Sequence, residues 1–143
     1  MSTFRYLEHD ADLGFEVEAA SWTGIWDVSA RALCAVMTDL ERIESRTVVT
    51  LRAEGIDLTA AWVESLAELL ARFEIDGLLL REVRSLRVQV KDRHVVAEFT
   101  AAGERMNPLR HPPDASIKAV THHDARLERD ADGRWRGRVL LDL

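Results

Sequence analysis

Leu86-Arg-Val-Gln-Val90 and Val95-Val-Ala-Glu-Phe99, joined by Lys91-Asp-Arg-His94, are two short segments rich in β-branched residues with a polar connection, which is a hairpin signal. Upstream of them lie two helical patterns. Ser21 or Thr23 can cap a first helix running to about Glu41, because Ile25, Val28, Ala32, Leu33, Val36 and Leu40 recur every three or four residues. Asp57 can cap a second, in which Leu58, Ala61, Trp62, Leu66, Leu69, Leu70 and Phe73 form an apolar stripe ending before Asp76-Gly77. At this spacing Trp62 and Phe73 are core residues. Before the helices, Phe4 to His9 reads as extended, and Phe15, Val17 and Ala19 alternate with Glu16 and Glu18 as in a half-buried strand. Thr47 to Ala53 is a further strand between the helices. Gly103 to Pro113 is a polar loop carrying all three prolines, followed by a strand from Ser116 through Thr121 towards Leu127. Asp132-Gly133 then turns the chain into a last strand, Trp135 to Leu143. Strands before and after two helices, without strict βαβ alternation, predict an α+β fold: a mostly antiparallel β-sheet with two main amphipathic helices.

Composition narrows the function. The 143 residues carry 19 Lys+Arg against 25 Asp+Glu, a formal charge of −6, with 47% hydrophobic and 31% charged residues. That balance excludes intrinsic disorder, and a chain of this length buries enough surface to be stable without disulfides, so a single domain over residues 1–143 is expected. Direct nucleic-acid binding relies on clustered Lys and Arg, so an acidic chain is not expected to bind nucleic acid strongly. One cysteine, Cys34, excludes an intramolecular disulfide framework, and its neighbours Arg31-Ala-Leu-Cys-Ala-Val-Met37 suit a buried apolar residue. No signal peptide and no apolar run of about 18 residues are present, so a cytoplasmic protein without a membrane span is expected.

Three features carry chemistry. Glu8, His9, Asp10 and Asp12 form the densest group of oxygen and imidazole ligands, a set that suits hard cations such as Ca²⁺ or Mg²⁺. In an extended segment Asp10 and Asp12 point to one side and His9 to the other; the competing reading is a solvated acidic turn. The second feature is Leu141-Asp142-Leu143, where the Asp142 carboxylate and the α-carboxylate of Leu143 are adjacent. If that strand neighbours the first, they and Asp12 make a three-oxygen cation site; the competing reading is a frayed terminus. The third is lysine usage, since only Lys91 and Lys118 interrupt an otherwise arginine-based set of cations. Lys118 lies in the apolar run Ile117-Lys-Ala-Val120, where a compact ammonium can serve a carboxylate or phosphate, or else simply face outward. His122 and His123 would face opposite ways in a continuous strand. No Gly-rich phosphate loop, H-E-x-x-H, C-x-x-C or G-x-S-x-G occurs, which argues against an enzyme with its own nucleophile.

Five segments in order resemble the archease family, the protein cofactor of the tRNA-splicing RNA ligase: Tyr6-Leu-Glu-His-Asp-Ala-Asp-Leu-Gly14, Leu33-Cys-Ala-Val-Met-Thr-Asp39, Trp62-Val-Glu-Ser-Leu-Ala-Glu-Leu-Leu70, Ile117-Lys-Ala-Val-Thr-His-His-Asp124 and Val139-Leu-Leu-Asp-Leu143. The resemblance implies an archease-like fold and a non-enzymatic accessory role. That implied role is to promote guanylylation of the GTP-dependent ligase and its multiple turnover in tRNA splicing or RNA repair. It places metal ligands on Asp12, Asp142 and Leu143, with a divalent cation that is Ca²⁺ first and Mg²⁺ or Mn²⁺ as alternatives. The functional lysine falls on Lys118, with Asp39 a further candidate and Asp10 and His9 additional ones. Two departures are Asp10, where the family usually has Thr, and His122, where it usually has Tyr. The alternative from another class is a small metal-dependent hydrolase or chaperone-like module using the same acidic pocket.

Overall fold

The computed structural model describes residues 2–9 and 12–143, and of His9 the backbone alone. Its elements in chain order are β1 (Thr3–His9), β2 (Asp12–Ala19), α1 (Trp22–Met37), a 3₁₀ turn (Leu40–Arg42), β3 (Thr47–Gly55), α2 (Leu58–Asp76), β4 (Leu78–Lys91), β5 (His94–Arg105), β6 (Ala119–Arg129) and β7 (Trp135–Asp142). Every strand pairing is antiparallel. The expected α+β class with two helices is what forms, but the strands make two sheets: β1-β2-β7-β6 and β3-β5-β4.

Short-range signals set the helices. The Ser21 side chain accepts the Gly24 N–H, and Asp57 accepts the Ala60 N–H, so each N-cap satisfies one of the donors a first turn leaves free. Gly77 ends α2 at φ 70°, a left-handed conformation that glycine adopts without steric cost. α1 stops at Met37, short of the expected Glu41, because Thr38 leaves in an extended conformation after donating its N–H to Cys34 O.

The β-rich half departs further from expectation. β4 begins at Leu78, eight residues before the predicted strand, and register shifts between Leu80 and Glu82 and between Val83 and Ser85 break its alternation. Leu79 and Leu80 are consecutive and both buried, a pattern that period-2 reading misses. β5 runs on to Arg105 where a loop was expected. It can do so because Gly103 lacks a Cβ, which would stand 1.7 Å from Leu79 O. In β6 the register slips between Thr121 and Arg126, and Asp124 adopts φ 55°. His122 and His123 therefore do not alternate; both are exposed.

One apolar cluster joins the helices to both sheets, with Phe15, Trp26, Trp62, Leu66, Phe99 and Val139 at its centre. Trp62 is wholly buried as expected and donates its indole N–H to Ser29 Oγ at 3.0 Å; Phe73 is only partly buried against the cluster. The Trp62 ring lies under Gly137 of β7, where an added Cβ would stand 2.7 Å from it. Gly137→Ala is thus expected to cost about 1–3 kcal/mol through overpacking, seen as a lower urea midpoint at constant m-value.

Candidate functional site

Leu13 of β2 pairs with Leu141 of β7 as the last pair of that antiparallel ladder, and Asp12 and Asp142 are the residues directly beyond it. On the other side of β2, His9 pairs with Asp12; on the other side of β7, Ala119 pairs with Asp142, and Lys118 N–H donates to Asp142 O at 2.7 Å. Asp12, Lys118 and Asp142, predicted from distant parts of the chain, therefore lie at the same end of the four-stranded sheet. Leu143 follows Asp142 directly and is 37% exposed.

The segment around residue 9 was expected to run as one extended approach to a strand, with His9 turned away from Asp12. β1 and β2 instead form an antiparallel pair in which the backbones of His9 and Asp12 are partners. Glu8 pairs with Leu13 and so falls on the opposite face from Asp12. Asp10 lies outside the described residues, as does the side chain of His9.

Asp12 is half-buried and Asp142 exposed. Among the described residues neither carboxylate has an ion pair, nor does Lys118. Two carboxylates at adjacent strand ends repel each other without a cation, and a hard divalent cation with oxygen ligands fits that donor set. Among the described residues no three His, Cys, Asp or Glu side chains make a cluster that could hold a metal; Asp12 and Asp142 are two such groups, with an oxygen of Leu143 adjacent in sequence.

Asp39 is engaged elsewhere. Its carboxylate caps the 3₁₀ turn by accepting Glu41 N–H at 3.1 Å, and it stands 3.6 Å from Arg42. No hydrogen bond or ion pair joins it to Asp12, Lys118 or Asp142 among the described residues. Cys34 is buried, as expected, and its thiol donates to Leu80 O. Burial pushes that thiol up to about 12, so it is not a nucleophile at neutral pH. Burial likewise raises the Tyr6 phenol to about 12, and its O–H donates to Ala32 O at 2.7 Å, tying β1 to α1.

The segment leading to Lys118 is held by a polar cluster that sequence reading passed over as loop. Glu104 accepts both Arg110 guanidinium nitrogens, at 2.6 and 3.2 Å, and the Glu44 N–H. The wholly buried His111 places Nε2 3.2 Å from Glu104 and 3.1 Å from Arg42 O, while its Nδ1 accepts Asn107 N–H at 2.9 Å. That last bond fixes the proton on Nε2. Burial pushes the Glu104 carboxyl up, but the Glu44, Arg110 and His111 hydrogen bonds outweigh it and hold the group below the usual carboxylate range. Beyond the cluster, Asp114 and Ala115 donate to Met37 O and Val36 O, docking this strap on the end of α1.

Comparison with known proteins follows the same lines. The family model described as the Archease protein family matches residues 4–143. A curated relative named Protein archease from Methanopyrus kandleri is 37% identical over 139 residues, 96% of each chain. Another of that name from Pyrococcus furiosus is 30% identical over 143 residues, the whole of both chains. The solution structure of Methanobacterium thermoautotrophicum protein 1598 superposes with a TM-score of 0.79 at 27% identity, covering 98% of each chain.

Proposed function

The chain belongs to the archease family, and on that premise we propose that it is a non-enzymatic accessory protein of a GTP-dependent RNA ligase in the cytoplasm, promoting the ligase's guanylylation and multiple turnover. The observation that supports the reading is that Asp12 and Asp142 lie at the adjoining ends of the paired strands β2 and β7, with Lys118 bonded through its backbone to Asp142.

In guanylylation GTP gives GMP to the ligase and pyrophosphate leaves, so negative charge builds on the departing phosphates. Preorganised positive charge at that point lowers the barrier. Asp12, Asp142 and an oxygen of Leu143 are the groups that would hold a divalent cation, Ca²⁺ before Mg²⁺ or Mn²⁺. When bound, the cation would supply positive charge at the phosphates. The Lys118 ammonium, on a stem fixed by the Lys118 N–H to Asp142 O bond, adds a second point charge without needing the cation. The acidic surface suits a basic partner face, and RNA contacts fall to the ligase.

The test is guanylylation of the cognate ligase with and without this protein. Acceleration by the wild type is expected, falling about tenfold or more in Lys118→Met, a replacement at an exposed side chain that removes the charge and keeps the fold. No acceleration by the wild type would contradict the proposal.

A further inference from the structure

The outer face of the four-stranded sheet, away from the helices, carries two cross-strand rows set by register. Arg5, Glu16, Arg138 and Arg126 form one, and Thr3, Glu18, Arg136 and Glu128 the other. Together they line a groove of about 710 Å³. Where both partners are charged, opposite charges face each other in both rows except at one step, where Arg138 faces Arg126. Like charges directly opposite each other disfavour the pairing unless something neutralises them.

The carboxylates of the groove do not do so. Glu16 is held by Arg5 at 2.9 and 2.7 Å, and Glu18 by Arg134 at 2.6 Å with Arg136 3.9 Å away. Arg136 also bonds Asp130 at 3.0 Å. Among the described residues Arg126 and Arg138 have no ion pair, and Arg138 Nε is buried with no hydrogen-bond acceptor. Buried donors in native structures have partners as a rule, and an exception calls for a group that fills the place. Arginines directly opposite each other on one sheet face can present both guanidinium forks to the oxygens of one phosphate. Glu16 and Glu128, flanking the pair, would repel a long polyanion and leave room for one small anion.

We propose that this groove is a subsite for a single phosphate-type oxyanion, held between the guanidinium groups of Arg126 and Arg138. The proposal stands apart from the carboxylate end. Arg138 is four residues from Asp142 on β7, about 13 Å at 3.3–3.4 Å per residue. Inorganic phosphate and the phosphate of a nucleoside monophosphate present the same chemistry, and the experiment separates them.

The arginine Nε–H NMR signals are followed while inorganic phosphate, or a nucleoside 5′-monophosphate, is added at constant ionic strength. Saturable shifts confined to Arg126 and Arg138 are expected, with at least tenfold weaker binding in Arg126→Gln and none lost in Arg87→Gln, which pairs with Glu98 on the other sheet. Arg126 is exposed, so its replacement leaves the fold intact. Tighter binding of the monophosphate assigns the site to a nucleotide; equal binding assigns it to free phosphate. Linear shifts spread over all exposed arginines, full affinity in Arg126→Gln, or saturation by an acidic peptide alone would overturn the proposal.

Discussion

Asp142→Ala and Asp12→Ala are each expected to abolish most Ca²⁺ binding measured by calorimetry. Losing a neighbour that merely orients a metal ligand already costs about 10–100-fold in affinity, so losing a ligand is expected to cost at least as much. The double variant should be little worse than either single one, because a two-carboxylate site fails when one member goes. A second readout separates this from misfolding. Without Ca²⁺ each variant is expected to be as stable as the wild type or more stable by about 0.2–1 kcal/mol, since a like-charge repulsion has been removed. With Ca²⁺ at about 100 times its Kd, the wild type should gain about 2.7 kcal/mol and the variants almost nothing. Equal Ca²⁺ affinity in wild type and variants would contradict the cation site.

Glu104→Ala is expected to be the most destabilising single change outside the apolar core. It strands the Glu44 N–H and one face of Arg110, and leaves the buried His111 Nε2–H with Arg42 O as its remaining acceptor. Breaking such a set costs about 3 kcal/mol, at the lower end of the range for buried ion pairs because Arg110 is partly exposed. The pH dependence has a definite sign. Glu104 is held below its unfolded pKa, so its stabilisation is complete above about pH 4.5 and is lost as pH falls through the lower folded value. The gap between wild type and Glu104→Gln in urea midpoint should therefore be wide at pH 7 and narrow below pH 4. A gap that stays constant with pH would mean that the charge of Glu104 is irrelevant. The strap from Met106 to Lys118 depends on this cluster, so Glu104→Ala should also blunt ligase activation.

Both helices were legible because their signals are local. Ser21, Asp57 and Gly77 sit where caps belong, and the apolar stripes between them need no partner to be recognised. The strands were legible where side chains alternate, as in Phe15 to Ala19, and illegible in β4, where the consecutive Leu79 and Leu80 are both buried and bulges follow them. Division into two sheets could not be read, because pairing of β2 with β7 joins residues more than a hundred positions apart and leaves no local mark. For the same reason Asp12 and Asp142 were each recognisable as candidates, while their place at adjoining strand ends rested on a condition about neighbouring strands. Lys118 stood out by composition alone. The Glu104, Arg110 and His111 cluster had no such signal, since its proline-rich surroundings read as solvent-exposed loop. Arg136 and Arg138 alternate visibly along β7, and the register that runs back from the β6–β7 turn, before the slip, sets Arg126 opposite Arg138.

The most direct measurement is the rate of guanylylation of the cognate ligase in the presence of wild type, Asp12→Ala and Asp142→Ala, each first verified as folded. Acceleration by the wild type and its loss in both variants is the predicted result. Undiminished acceleration by the two variants would contradict a role for these carboxylates in activating the ligase.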